Sequence, residues 1–247
     1  MAEPSGRPRT FVLLHGAWHG GWCWREVAAA LGARGHRVTT PTQTGLGERR
    51  HLLSAQITPE TFVADLVGHV EAEELSDIVL VGHSFGGIAI SGAADRVPER
   101  IRHLVYLDSL ILEDGQAPFD LVPPEVAAAR RALAREQGAG IAIPPPPVAS
   151  FGIPEDHPLA PWVARRLTPH PLGAYETPLR LRNPPGNGLP RTYIACTDPP
   201  YAPLERVWHW VRERPGWGWE EIATGHDAMV TAPEALARLL ERIAETG

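Results

Sequence analysis

The stretch Asp77-Ile78-Val79-Leu80-Val81-Gly82-His83-Ser84-Phe85-Gly86-Gly87 decides how the rest of the chain is read. Ile78 to Val81 is a short apolar run, the pattern of a strand buried on both faces. Gly82 to Gly86 matches Gly-x-Ser-x-Gly, and the following Ile88 to Val97 is compatible with a helix. Strand, sharp turn and helix in that order are the context in which this motif presents a nucleophile. A serine raised clear of a sheet sits on a strained turn. Side chains two positions either side would meet neighbouring backbone, which glycine avoids. The helix that starts after the serine directs free N–H groups at the site, which suits a developing negative charge. Ser84 is therefore the candidate nucleophile.

Outward from this turn, strands and helices alternate. Thr10 to Leu14, Arg37 to Thr40, the run before Ser84, Arg102 to Leu107, Arg191 to Cys196 and Trp217 to Ile222 read as six short strands. Helices are expected over Trp24 to Ala33, from Thr58-Pro59 to Glu74, after Ser84, over Leu204 to Arg212, and from the Thr231-Ala232-Pro233-Glu234 start onward. Thr58 is a good N-cap with Pro59 in the first turn. This rhythm predicts an α/β fold with a doubly wound, mostly parallel sheet.

The rhythm breaks once. Leu112 to Pro190 holds 16 of the chain's 26 prolines, and its first half has one clear helical patch, Pro124 to Gln137. A segment of that length is too long for a plain loop. The expected organisation is a core of residues 1–111 and 186–247, with residues 112–185 inserted as a Pro-rich cap. Phe119, Phe151, Trp162, Leu167 and Tyr175 are its expected anchors, because large aromatic and aliphatic groups seek burial.

Composition sets outer limits. At 247 residues, 43% hydrophobic and 21% charged, the chain has the make-up of one soluble α/β domain. A net charge of −6 points away from nucleic acid. No apolar run reaches the roughly 18 to 20 residues of a membrane span, and Met1 to Thr10 lacks the apolar core of a leader peptide. Cys23 and Cys196 are too few for a disulfide framework and too isolated for a zinc site. A reduced cytoplasmic setting is the simplest reading.

A serine hydroxyl needs a base. Among 11 histidines, His226 follows the last strand in a Gly-flanked loop, which places it at the carboxyl edge of the sheet beside Ser84. The third member is a carboxylate that fixes the imidazole tautomer. Asp108 follows the strand Arg102 to Leu107, and Asp198 follows Arg191 to Cys196. Both satisfy the chain order Ser, Asp, His.

Three stretches carry a resemblance. They are His15-Gly16-Ala17-Trp18-His19-Gly20-Gly21-Trp22, Gly82-His83-Ser84-Phe85-Gly86-Gly87 and Gly225-His226-Asp227-Ala228-Met229. Together they resemble the esterase and hydroxynitrile-lyase branch of the α/β-hydrolases, which includes the plant methylesterases. The resemblance covers the N-terminal half and the C-terminal quarter and fades across the cap. It implies the α/β-hydrolase fold and a Ser-His-acid triad. The chain departs from the plant pattern in one informative place. The plant proteins carry Cys-Thr-Glu-Asp-Lys after the strand that follows the cap, with the Asp catalytic. Here the residues are Cys196-Thr197-Asp198-Pro199-Pro200, so Pro199 takes that position and Asp198 is one residue early. Asp108 is therefore preferred as the acid, with Asp198 as runner-up.

The expected reaction is hydrolysis of a carboxylic ester by Ser84, His226 and Asp108. Phe85 N–H, next to the nucleophile, and Ala17 N–H, by the resemblance, would form the oxyanion hole. Trp18, His19, His83 and Trp162 are expected to bind substrate. No cofactor and no metal are expected; the partner is a small-molecule ester, with no nucleic acid and no membrane. The oligomeric state stays open, a homodimer being one option. Alternatives on the same scaffold are a thioesterase or lactonase, a hydroxynitrile lyase, and a small-molecule receptor. The similar lyases carry Lys after the catalytic His and Thr after the first His of the oxyanion loop. Here Asp227 and Gly16 stand at those places, and no cation is evident there to stabilise departing cyanide.

Overall fold

A computed structural model describes residues 7–246. Residues 1–6, on which part of the leader-peptide reading falls, and residue 247 lie outside the described residues. The elements run β1 (Thr10–Leu14), α1 (Arg25–Ala33), β2 (Arg37–Thr39), α2 (Pro59–Ala72), β3 (Ile78–His83), α3 (Gly86–Arg96) and β4 (Ile101–Leu107). After β4 come α4 (Pro124–Gln137), β5 (Ala142–Ile143), α5 (Ala160–Ala164), β6 (His170–Pro171) and α6 (Leu172–Glu176). The chain closes with β7 (Arg191–Cys196), α7 (Glu205–Arg212), β8 (Gly218–Ile222), α8 (Ala228–Thr231) and α9 (Pro233–Thr246).

Six strands form one sheet in the order β2-β1-β3-β4-β7-β8, and every pairing in it is parallel. All six residues of β3 are buried, as its unbroken apolar run requires of a central strand covered on both faces. The edge strands β2 and β8 carry polar, partly exposed residues instead. Helix α2 starts at the Thr58-Pro59 signal, with a reciprocal capping box between Thr58 and Thr61. Leu236, Leu239, Leu240 and Ile243 form the buried stripe of α9, which packs on α1. Among the described residues, no helix is long and apolar enough to cross a membrane.

Between β4 and β7 the sequence showed one helix, α4. The structure adds α5, α6 and a two-stranded antiparallel pair in which Ala142 faces Pro171 and Ile143 faces His170. Strands of two residues leave no periodicity to read. Phe119, Phe151 and Tyr175 are buried as expected. Trp162 and Leu167 remain half-buried; α5 turns Val163 inward and leaves Trp162 less covered. The segment is fastened to two loops at the carboxyl ends of the strands. Trp18 Nε1 donates to the Ile143 carbonyl at 3.0 Å, and Asp227 N donates to the Phe151 carbonyl at 3.0 Å.

Candidate active site

Ser84 leaves β3 with a φ of 52°, the left-handed region that non-glycine residues seldom occupy. The turn is held from several sides. Ser84 N donates to the Leu107 carbonyl at 3.0 Å, and the Ser84 carbonyl accepts from Leu110 N at 2.9 Å and from Ser109 Oγ at 2.7 Å. A Cβ on Gly82 would stand 2.9 Å from the Gly86 carbonyl, and one on Gly86 2.8 Å from the His15 carbonyl oxygen. Both glycines are therefore fixed by backbone that passes too close for any side chain. Helix α3 begins two residues after Ser84, so its positive end lies at the hydroxyl.

Three side chains from three strand ends meet. Ser84 Oγ lies 2.9 Å from His226 Nε2, and His226 Nδ1 lies 2.6 Å from Asp108 Oδ2. His226 and Asp108 are buried. The second carboxylate oxygen of Asp108 accepts from the indole Nε1 of Trp208 on α7 at 3.2 Å. Asp198 is exposed, and its backbone N–H is bonded to the Thr224 carbonyl. The loop that carries it instead lays Tyr201 over His226, ring centroids 4.2 Å apart and planes 24° apart. Trp208 and Tyr201 were not legible as site residues, because aromatic residues flanking a helix start read as ordinary packing.

Ala17, Phe85 and Trp18 line a cavity of about 50 Å³ together with Ser84. The rest of its wall is mostly apolar, with Leu110, Leu121, Val122 and Leu204, and it includes Tyr175, Tyr201 and Arg130. A wider groove of about 210 Å³ shares the Leu110, Leu121 and Pro203 wall.

Three of the four expected substrate-binding side chains lie elsewhere. Trp162 covers Trp22 on the outer surface, with ring centroids 5.1 Å apart, and Arg25 and Arg166 lie over it. His83 is buried behind His226, and its Nε2 donates to the His226 carbonyl at 3.0 Å. Burial first, then the neighbouring His226, pushes its pKa well below the usual imidazole range. His19 is buried against Asp227, and neither lines the cavity. Its Nδ1 faces the Ala17 carbonyl at 2.7 Å and its Nε2 faces Asp227 Oδ2 at 3.0 Å. Both ring nitrogens thus meet acceptors, which is the demand of an imidazolium. Burial opposes that charge, yet the carboxylate outweighs it and the pKa of His19 rises. Burial likewise opposes the Asp227 carboxylate, and His19 brings its pKa down.

Among the described residues, His83, His226 and Asp227 offer possible metal-ligand atoms within 4.8 Å of one another. Both ring nitrogens of His226 already face Ser84 and Asp108, and His83 Nε2 is bonded to a carbonyl. A cation there would have to break those bonds.

A serine, a histidine and a carboxylate aligned at the carboxyl edge of a parallel sheet can carry acyl transfer. The sequence model of the alpha/beta hydrolase family matches residues 11–239. The chain is 43% identical over 238 residues to the carbendazim hydrolyzing esterase of Nocardioides sp. (strain SG-4G), covering 93% of this chain and 97% of that protein. It is 29% identical over 256 residues to methylesterase 10 of Arabidopsis thaliana, covering 95% of this chain and 91% of that protein. Among solved structures, an extracellular alpha/beta-hydrolase from a Paenibacillus species matches with a TM-score of 0.79 at 27% identity, covering 96% of this chain and 99% of that one. The chain belongs to the alpha/beta hydrolase family. Within that family it falls with the esterases, as an ester hydrolase.

Proposed function

We propose that the protein is a serine esterase that cleaves carboxylic esters through an acyl-enzyme. The observation that carries this reading is the continuous chain Ser84 Oγ, His226 and Asp108, with contacts of 2.9 and 2.6 Å. His226 Nε2 takes the Ser84 proton as Oγ attacks the ester carbonyl. Asp108 accepts the Nδ1–H bond, holding the tautomer and balancing the imidazolium. The N–H groups of Ala17 and Phe85, on the cavity wall beside Ser84, receive the oxyanion. His226 then protonates the departing alcohol. A water molecule deprotonated by the same histidine releases the acid and restores Ser84.

A lyase reading has less support. Its similar members carry Thr where this chain has Gly16. A Cβ at Gly16 would lie 2.8 Å from Ser84 Cβ and 3.0 Å from His83 Nδ1, which leaves no room for a larger residue. Residues 112–185 are read as a lid over the cavity, supported by the contribution of Leu121, Val122, Arg130 and Tyr175 to its wall. The free, buried thiols of Cys23 and Cys196 suit a cytoplasmic setting, and the partner is a small-molecule ester.

The test is hydrolysis of a panel of p-nitrophenyl esters, lactones, thioesters and carbendazim, with Ser84→Ala as control. Ser84→Ala is expected to lose ester hydrolysis while remaining folded, and a fluorophosphonate probe to label the wild type alone. Equal labelling of both proteins would refute the assignment. His226→Ala should match Ser84→Ala, since members of a triad act as a unit.

A further inference from the structure

The cavity beside Ser84 holds one formal charge that the ester chemistry above does not use. Arg130, on the inner side of α4, is half-buried and lines the cavity among Leu110, Leu121, Val122 and Leu204. None of the residues lining that cavity is acidic. The guanidinium lies over the ring of Tyr175, 5.2 Å from its centroid. Its field reaches Tyr201 and His170 as well. Among the described residues it has no ion-pair partner. The next residue, Arg131, is treated differently: it pairs with Glu176 at 2.7 Å.

A guanidinium stays charged at every physiological pH and presents its donors in a planar fork that fits a carboxylate. Placing it in a largely apolar recess without a counter-ion costs free energy, and the cost is recovered when an anion enters. A ring face alone compensates only in part. An apolar wall that includes one cation suits a hydrocarbon chain ending in an anion.

We propose that Arg130 is a specificity-determining residue that binds a free carboxylate of the substrate. The preferred substrates are then half-esters of dicarboxylic acids, with the scissile carbonyl at Ser84 and the second carboxylate at Arg130. This inference rests on the serine-esterase reading and adds the substrate class to it.

The experiment compares matched esters of equal chain length, with and without the charge. Mono-p-nitrophenyl adipate is set against p-nitrophenyl hexanoate, and mono-p-nitrophenyl suberate against p-nitrophenyl octanoate. The quantity read is the ratio of kcat/KM, charged over neutral, at low salt. Rates with Ser84→Ala are subtracted as background, and each variant is checked for folding by its melting curve. In the wild type the ratio should exceed one for at least one chain length. In Arg130→Gln it should fall about tenfold or more, mainly through KM, the loss typical of a charge-assisted hydrogen bond. Arg130→Lys keeps the charge without the fork and should fall between the two. Added salt should lower the wild-type ratio and leave the Arg130→Gln ratio flat. If wild type and Arg130→Gln gave the same ratio, the inference would be overturned and the esterase reading would stand. If neither ester were cleaved faster than by Ser84→Ala, the esterase reading would fail and this inference with it.

Discussion

Asp108 sits between two donors. His226 Nδ1 approaches one carboxylate oxygen at 2.6 Å and Trp208 Nε1 approaches the other at 3.2 Å. A carboxylate satisfies both, whereas the amide of Asn has one oxygen and must turn its NH₂ towards one of them. Asp108→Asn should therefore leave the fold standing and lower kcat by about 10⁴, through the wrong imidazole tautomer. Asp198 is exposed and makes no described side-chain contact with His226, so Asp198→Asn should cost about tenfold or less. Measuring kcat on both folded variants decides the matter, and the reverse ranking would return the acid to the loop after β7. Ser84 and Asp108 stand directly after readable strands and His226 in the Gly-flanked loop that follows another, which is why the chain suggests them. His19 and Asp227 could not be paired that way. They lie 208 residues apart in sequence, and nothing local marks a histidine as doubly bonded inside the protein.

The same contrast holds for whole elements. β3 and α3 announce themselves by an apolar run, a glycine turn and an apolar helix, and α2 by its capping signals. Their packing against each other depends on one small residue. Gly92 on α3 meets Val63 on α2 so closely that a Cβ there would stand 2.4 Å from Val63 Cγ2. Gly92→Ala should destabilise the fold by about 1–3 kcal/mol, the usual cost of overpacking, although alanine favours a helix over glycine. Val63→Ala in the same chain should recover part of that loss. Chemical denaturation of the single and double variants measures it. If Gly92→Ala were stabilising, the two helices are not in tight contact. The elements between β4 and β7 gave no such signals. Proline fixes φ and removes a donor, so the segment is assembled from short turns and two-residue strands whose partners are distant. Its aromatic anchors were readable as residues to be buried, but not where each would go: Tyr175 reached the cavity wall and Trp162 did not.

At the scale of the molecule, buried histidines govern how stability responds to acid. Burial lowers the pKa of His15 to about 3 and that of His103 to about 4, and pushes His83 and His170 well below the usual range. In the unfolded chain these groups take up protons near 6.5. Below that pH the unfolded state binds protons that the folded state refuses, so stability is lost as the pH falls from about 6.5 towards the folded values. His15 alone should cost about 2 kcal/mol at pH 5. The sign for His19 is opposite. Its pKa is raised in the fold, so its contribution is complete below 6.5 and is lost as the pH climbs through the folded value. Melting curves should show Tm highest near neutrality and lower by at least about 4 °C at pH 5 than at pH 7. A Tm that rises on acidification would contradict neutral burial of these four rings.

The bond between His19 and Asp227 ties the loop after β1 to the loop after β8. The two loops are 208 residues apart in the chain, so a ribosome delivers the first well before the second. Until residue 227 has been made and has left the exit tunnel, His19 lacks the Asp227 carboxylate and Ser84 lacks its contact with His226. On the serine-esterase proposal, ester hydrolysis cannot begin before the segment that carries His226 and Asp227 has docked.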